Sequence, residues 1–227
     1  MLEVGGRPIV DRLLERLAPI DAIDGSYVIT NSKFAPAFRE WASRYDAPRP
    51  HLVPTVVDDG TTDDANKLGA IGDLHLLLER EAVDDDVIVT AGDSVFSDSL
   101  EGFGRMAQER EAPVTAVYDV GDLDAVRRYS AITIDADGRI TAFQEKPKRP
   151  GSTLAGVALY FYPSAALPLV RRYVAEGNDP DQPGRLVEWM YTRVPFFAWR
   201  IPGRWFDIGS KETLEEADRA FSNSARS

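Results

Sequence analysis

Short apolar runs alternate with segments whose apolar residues recur every three or four positions, nearly throughout the chain. Ile9, Leu13, Leu14 and Leu17 share one face of a predicted helix, with Pro8 suited to its first turn. SYVITN (26–31) reads as a buried strand, and HLVPTVV (51–57) as an extended run. Phe34 to Arg44 and Asn66 to Arg80 read as helices, the second with Leu68, Ile71, Leu74 and Leu78 on one face. VIVTA (87–91) is a strand, Leu100 to Glu111 a helix and VTAVYDV (114–120) a strand. This order predicts an α/β fold, Rossmann-like, with a mostly parallel, doubly wound sheet. Its ligand crevice should lie beyond the carboxyl ends of the strands.

The texture then changes. AITIDADGRITAFQEK (131–146) predicts an inserted β-hairpin turning at Asp135 to Gly138. LAGVALYFY (154–162) is a strand, Ser164 to Glu176 a helix, GNDPDQPG (177–184) a loop before a helix through Trp189, and PFFAWR (195–200) a strand. Ser210 is placed to cap a last helix ending near Phe221. Residues 1–221 therefore read as a single domain and 222–227 as a frayed tail.

Composition narrows the function classes. The 227 residues carry 37 acidic and 26 basic side chains, a net charge of -11. Such a field repels phosphate backbones and argues against a nucleic-acid partner. A phosphorylated ligand would need local cations or a metal. The five lysines (Lys33, Lys67, Lys146, Lys148, Lys211) are few beside the arginines, which is consistent with a salt-adapted source. There is no cysteine, which excludes disulfides and thiolate metal sites. No apolar stretch is long enough to predict a membrane span, and the first residues do not resemble a secretory signal. A cytoplasmic location is the corresponding expectation.

Four stretches could carry chemistry. VIVTAGDSVF drives an apolar strand up to Asp93, which is either a turn former or a site residue. Asp207 stands among Trp205, Phe206 and Ile208, where a carboxylate needs a cation or donors. Glu145-Lys146 ends the hairpin's second strand, either as a solvated turn or as a hydroxyl-binding carboxylate beside a phosphate-binding ammonium. DDGTTDDANKLGAIGD (58–73) opens a helix and could offer backbone N–H groups to an anion or a base. His51 and His75 read as structural. The P-loop, Gly-x-Gly-x-x-Gly and Gly-x-Ser-x-Gly patterns are all absent. Two aspartates at strand ends with no His or Cys cluster fit Mg²⁺, which is commonly held by one or two carboxylates and substrate phosphates.

The ordered set LEVGGRPIVDRLLERL, DGTTDDANKLGAIGD, VTAGDSVF, FQEKPK, LAGVALYFYP, NDPDQPGRLVEWM and GRWFDIGSKETLEEA resembles the sugar-phosphate nucleotidyltransferases. These are typified by glucose-1-phosphate thymidylyl- and uridylyltransferases, and the likeness covers almost the whole chain. The resemblance implies a GT-A-like fold and transfer of a nucleotidyl group from an NTP, dTTP or UTP by preference, to a sugar 1-phosphate. It implies that Asp93 and Asp207 hold the metal, that Glu145 binds sugar hydroxyls and that Lys146 binds the sugar's phosphate. It places Gly156 and Tyr129 in the sugar pocket and Gly69 and Ala70 at the base.

Three departures stand out. Ser130 replaces a glycine common after the tyrosine, and Ala70 replaces a base-reading glutamine of the thymidylyl enzymes. The family's first strand and Gly-x-Gly-Thr-Arg loop do not precede MLEVGG. Without that strand SYVITN and VIVTA should lack a shared neighbour, and the chain should be inactive until the segment is supplied or should recruit a strand from another copy, which leaves homo-oligomerisation open. Two alternatives remain: a GT-A glycosyltransferase, although Asp93-Ser94-Val95 lacks the usual Asp-x-Asp, and a nucleotide-sugar-sensing domain without catalysis.

Overall fold

A computed structural model describes residues 1–224. The chain runs β1 (Glu3–Val4), β2 (Arg7–Pro8), α1 (Ile9–Leu17), β3 (Tyr27–Thr30), α2 (Ala35–Ala42), β4 (Thr55–Asp58), α3 (Ala70–Arg80), β5 (Val87–Thr90), β6 (Ser94–Phe96) and α4 (Glu101–Arg110). It continues through β7 (Val114–Asp119), α5 (Leu123–Val126), β8 (Ser130–Ile134), β9 (Ile140–Glu145), β10 (Leu154–Tyr162), α6 (Leu167–Ala175), α7 (Pro183–Met190), β11 (Phe197–Arg200), β12 (Trp205–Asp207) and α8 (Lys211–Ser224).

The sheet is organised around β10. One of its edges pairs antiparallel with β7 from Leu154 to Phe161. The other edge is divided: β5 covers Leu159 to Tyr162, and β8 covers only Ala155 and Gly156. β9 pairs outside β8, and β11 lies parallel outside β7. The edge of β10 therefore opens between the end of β5 and the start of β8. A strand whose two partners part company in this way leaves a crevice, the usual place for a ligand in an α/β sheet.

Burial follows the two-residue period of the strands. Tyr160 and Tyr162 of β10 join Ile71, Leu74 and Leu78 of α3 and residues of α6 and α7 in one core. Leu159 and Phe161 join Leu13 and Leu17 of α1 and Phe103 of α4 in another. Because both faces of β10 are covered, its sequence is a continuous apolar run rather than an alternation.

The α/β class holds, but the pairing is less parallel than the βαβα pattern predicts. Among the described residues only β3–β4 and β7–β11 are parallel, and the three neighbours of β10 are antiparallel to it. A short return from the hairpin permits antiparallel pairing without a crossover helix. β3 bonds only to β4 and β5 only to β10, and no strand bonds to both β3 and β5 among the described residues. Val28, Ile29 and Thr30 are accordingly half-buried, and Tyr27 is 43% exposed.

Boundaries shifted where special backbone intervened. α3 begins at Ala70 rather than Asn66, because Gly69 takes φ 79° and turns the chain into the helix. Leu68 and Leu14 are half-buried rather than core. The predicted extended run at 51–57 is a 3-10 turn at Pro50–Leu52 followed by β4. The three-residue β6 and the four-residue α5 are too short to show a period. Ser210 caps α8 through Thr213 N, and the helix continues to Ser224; the rest of the predicted tail lies outside the described residues.

Candidate active site

β6 and β12 bring the two aspartates together. They pair antiparallel with Asp207 opposite Ser94, and Ile208 N donates to the Asp93 carbonyl at 3.0 Å. Val95, Phe206 and Ile208 anchor the two strands in a small core shared with Ala217 of α8. Burial raises the pKa of both carboxyls, and the Asp93 charge raises Asp207 further. Asp93 is exposed and Asp207 half-buried, so the pair lies at the protein surface rather than inside the core. Arg128 and Lys146 act on Asp207 in the opposite direction. Lys146, from the end of the hairpin, is thus within electrostatic reach of Asp207.

Glu145 and Lys146 are held from several sides. Ser130 Oγ donates to Glu145 Oε2, and Glu145 N donates to Glu188 Oε1 at 3.3 Å. Lys146 N donates to the Tyr129 carbonyl at 3.1 Å. Lys146 has φ 43°, a left-handed conformation that costs a non-glycine residue on the order of 1 kcal/mol and persists only when its surroundings fix it. Tyr129 packs edge-on to Trp205 at 5.2 Å, and burial followed by Asp207 raises its hydroxyl pKa.

Two glycines make this packing possible. Gly156 lies opposite Ser130, and a Cβ there would stand 3.2 Å from Ser130 Cβ and 3.0 Å from Ile132 Cδ1. A Cβ on Gly184 would stand 1.8 Å from Glu145 Oε2, so α7 can open beside that carboxylate only with glycine.

The opening of α3 differs from the expected anion cradle. Ala70 N donates to the Asp181 carbonyl at 3.2 Å and Ile71 N to the Pro180 carbonyl at 2.9 Å. Thr62 N and Asp63 N both bond to Asn66 Oδ1. These amides are therefore already committed within the protein. Gly69 fits against the backbone of Pro180 and Asp181, where a Cβ would approach to 2.6 Å. Gly69 and Ala70 thus adjoin the Glu145–Lys146 group indirectly, through residues 180–182.

Sequence reasoning missed Arg128, Gln182 and Gly184, and missed that Ser130 bonds Glu145. Only Gly184 left a trace, as a glycine just inside a helix start where a cap or alanine would be better.

No group of three or more His, Asp or Glu side chains able to hold a metal occurs among the described residues. The donor set here is two carboxylates, each made less favourable as an anion by its surroundings. That set fits Mg²⁺, which takes its remaining ligands from water and phosphate oxygens.

The fold is shared with solved structures of other proteins. UDP-glucose pyrophosphorylase complexed with UDP-glucose superposes with a TM-score of 0.80 at 17% identity, over 99% of this chain and 90% of that one. A Bacillus anthracis protein assigned as a glucose-1-phosphate thymidylyltransferase, in complex with a sucrose, gives 0.74 at 21% identity over 98% and 85%. A family model described as nucleotidyl transferase matches residues 1–224, and the chain belongs to that family. Its curated relatives include glucose-1-phosphate adenylyltransferase of Thermomicrobium roseum, 30% identical over 60% of this chain and 32% of that protein. Another is the bifunctional protein GlmU of Methanocaldococcus jannaschii, 22% identical over 96% of this chain and 48% of that protein. The chain therefore spans half or less of the length of these relatives.

Proposed function

We propose that the chain is the nucleotidyl-transfer domain of a sugar-1-phosphate nucleotidyltransferase. A phosphate oxygen of the sugar 1-phosphate attacks the NTP α-phosphorus, the bond to the bridging oxygen of the β-phosphate breaks, and pyrophosphate leaves. The nucleophile is already anionic, so the step needs no general base. Lys146 binds the sugar's phosphate and Glu145 its hydroxyls, while Tyr129 and Gly156 border the sugar and Gly69–Ala70 the base. Asp93 and Asp207 hold Mg²⁺, which when bound offsets negative charge at the α-phosphate.

The observation that carries this reading is that Lys146 N donates to the Tyr129 carbonyl at 3.1 Å while the Tyr129 ring packs at 5.2 Å on Trp205 of β12, the strand that ends in Asp207. It supports reading the proposed sugar-phosphate and metal residues as parts of one site. Among the described residues no helix is long and apolar enough to cross a membrane. A cytoplasmic setting, where NTPs and sugar phosphates are made, is part of the proposal. dTTP or UTP is the proposed donor, with ATP its competitor, since similar proteins carry both kinds of name. Among the described residues β3 and β5 each pair on one edge, which supports the reading that a strand of another copy joins the sheet.

A panel of NTPs against sugar 1-phosphates, read by pyrophosphate release in Mg²⁺, tests the reading. One productive pair supports it; release that is independent of any sugar phosphate overturns it.

A further inference from the structure

Residues 180–182 touch both halves of the candidate substrate site. On one side, the Pro180 and Asp181 carbonyls accept the first amides of α3, and Lys67 Nζ lies 2.8 Å from Asp181 Oδ1. The strap is fixed from behind by Tyr173 Oη, which donates to the Asp179 carbonyl at 2.7 Å, and by Asp181 N, which donates to Asp179 Oδ1 at 3.0 Å. On the other side, the Gln182 carboxamide reaches Glu145 and Lys146. Its orientation follows from its neighbours, because a carboxylate can only accept and an ammonium can only donate. Gln182 Nε2 donates to Glu145 Oε1 at 3.2 Å, and Gln182 Oε1 accepts from Lys146 Nζ at 3.3 Å.

The same amide therefore holds an anion and a cation that are adjacent in sequence. With Ser130 on Oε2 and Gln182 on Oε1, both oxygens of Glu145 are fixed, and each keeps an acceptor position free. Lys146, in its left-handed conformation, gains a side-chain tether in addition to its backbone bond to Tyr129.

Resting on the function proposed above, we infer that Gln182 is a positioning residue that orients Glu145 and Lys146 toward the sugar 1-phosphate. Its own position is set by the docking of residues 180–181 against Gly69, so the base-side loop and the sugar-phosphate groups are mechanically linked. A packing role alone would demand only shape at position 182. The proposed role demands a donor and an acceptor at its tip, together with an intact dock at Gly69.

The experiment titrates glucose 1-phosphate into the intact protein by calorimetry, with thermal melts and steady-state kinetics on the same samples. Gln182→Leu keeps roughly the volume and removes both polar atoms. It should weaken binding about tenfold, the loss of one charge-assisted contact. The KM for the sugar phosphate should rise by a similar factor, with kcat changed less. Gln182→Glu keeps the acceptor for Lys146 but sets a second carboxylate against Glu145, and should also weaken binding.

Gly69→Ala disturbs the dock without touching Glu145 or Lys146, and should reproduce part of the loss. In the Gly69→Ala background, Gln182→Leu should add less than its effect alone, as expected for two changes to one linkage. Wild-type affinity in Gln182→Leu, or strict additivity with Gly69→Ala, overturns the inference while leaving the functional reading intact. Absence of sugar-phosphate binding to the wild type overturns both.

Discussion

Replacing Gly184 with alanine sets two local effects against each other. Alanine favours a helix over glycine by about 1 kcal/mol, so α7 alone should gain stability. The added Cβ, however, would lie 1.8 Å from Glu145 Oε2, 2.7 Å from Glu145 Cδ and 2.8 Å from Ser130 Oγ. Something must move. Leu186, Val187 and Met190 fix α7 in the core at 1% exposure or less, whereas Glu145 is half-buried at a strand end. The carboxylate should therefore swing away and lose its bonds from Ser130 and Gln182. Bonds to a charged group contribute about 1.5–3 kcal/mol each, largely replaced by water once the carboxylate is exposed. Global stability should accordingly change by less than about 1 kcal/mol. Ligand affinity should not be spared, because the displaced carboxylate no longer meets the sugar. A loss of about 2 kcal/mol corresponds to roughly 30-fold in Kd. Calorimetric titration with glucose 1-phosphate, beside thermal melts, separates the two effects. An affinity within threefold of wild type, with the melt unchanged, would show that Glu145 is not a sugar ligand.

Three further outcomes follow from the same geometry. Burial and Asp59 raise the Asp73 carboxyl from 3.8 to about 6, so the folded protein binds a proton that the unfolded chain releases. Stability should fall as pH rises between those values. Asp73→Asn should remove that fall, gaining about 1 kcal/mol at pH 7 after allowance for solvent screening and nothing below the unfolded value; denaturant melts showing no pH-dependent gain would refute it. Lys146→Ala should weaken sugar 1-phosphate binding more than NTP binding, in a protein whose net charge of -11 otherwise repels phosphate. Unchanged affinity for the sugar 1-phosphate would return Lys146 to a solvated turn. Amides of β3 and β5, each paired on one edge, should exchange with deuterium faster than those of β10, which is paired on both. Uniform protection across the three strands would contradict the topology.

The sequence makes the elements legible because long periodic segments declare themselves. β10, α1 and the hairpin with its Asp135–Gly138 turn appear where the apolar pattern and turn chemistry put them. The strand pairing does not appear, because an apolar run is equally suited to a parallel or an antiparallel neighbour. β6 has no detectable period at three residues, yet it sets Asp93 beside Asp207. The Gly-rich segment before α3 has the composition of an anion site, but its amides turn inward to Pro180 and Asp181, a tertiary contact that composition cannot show. Gln182 was invisible for the same reason: its importance lies wholly in what it faces across the fold.

The most direct test of the account is ³¹P NMR of the intact native protein with Mg²⁺, an NTP and a sugar 1-phosphate. The expected spectrum gains paired pyrophosphate-diester resonances of a nucleotide sugar together with free pyrophosphate, in equal amounts. Asp93→Asn and Asp207→Asn, with unchanged melts, should each abolish both signals, a loss of several kcal/mol of transition-state stabilisation. Orthophosphate in place of the two products, or full product formation in either aspartate variant, would contradict the assignment.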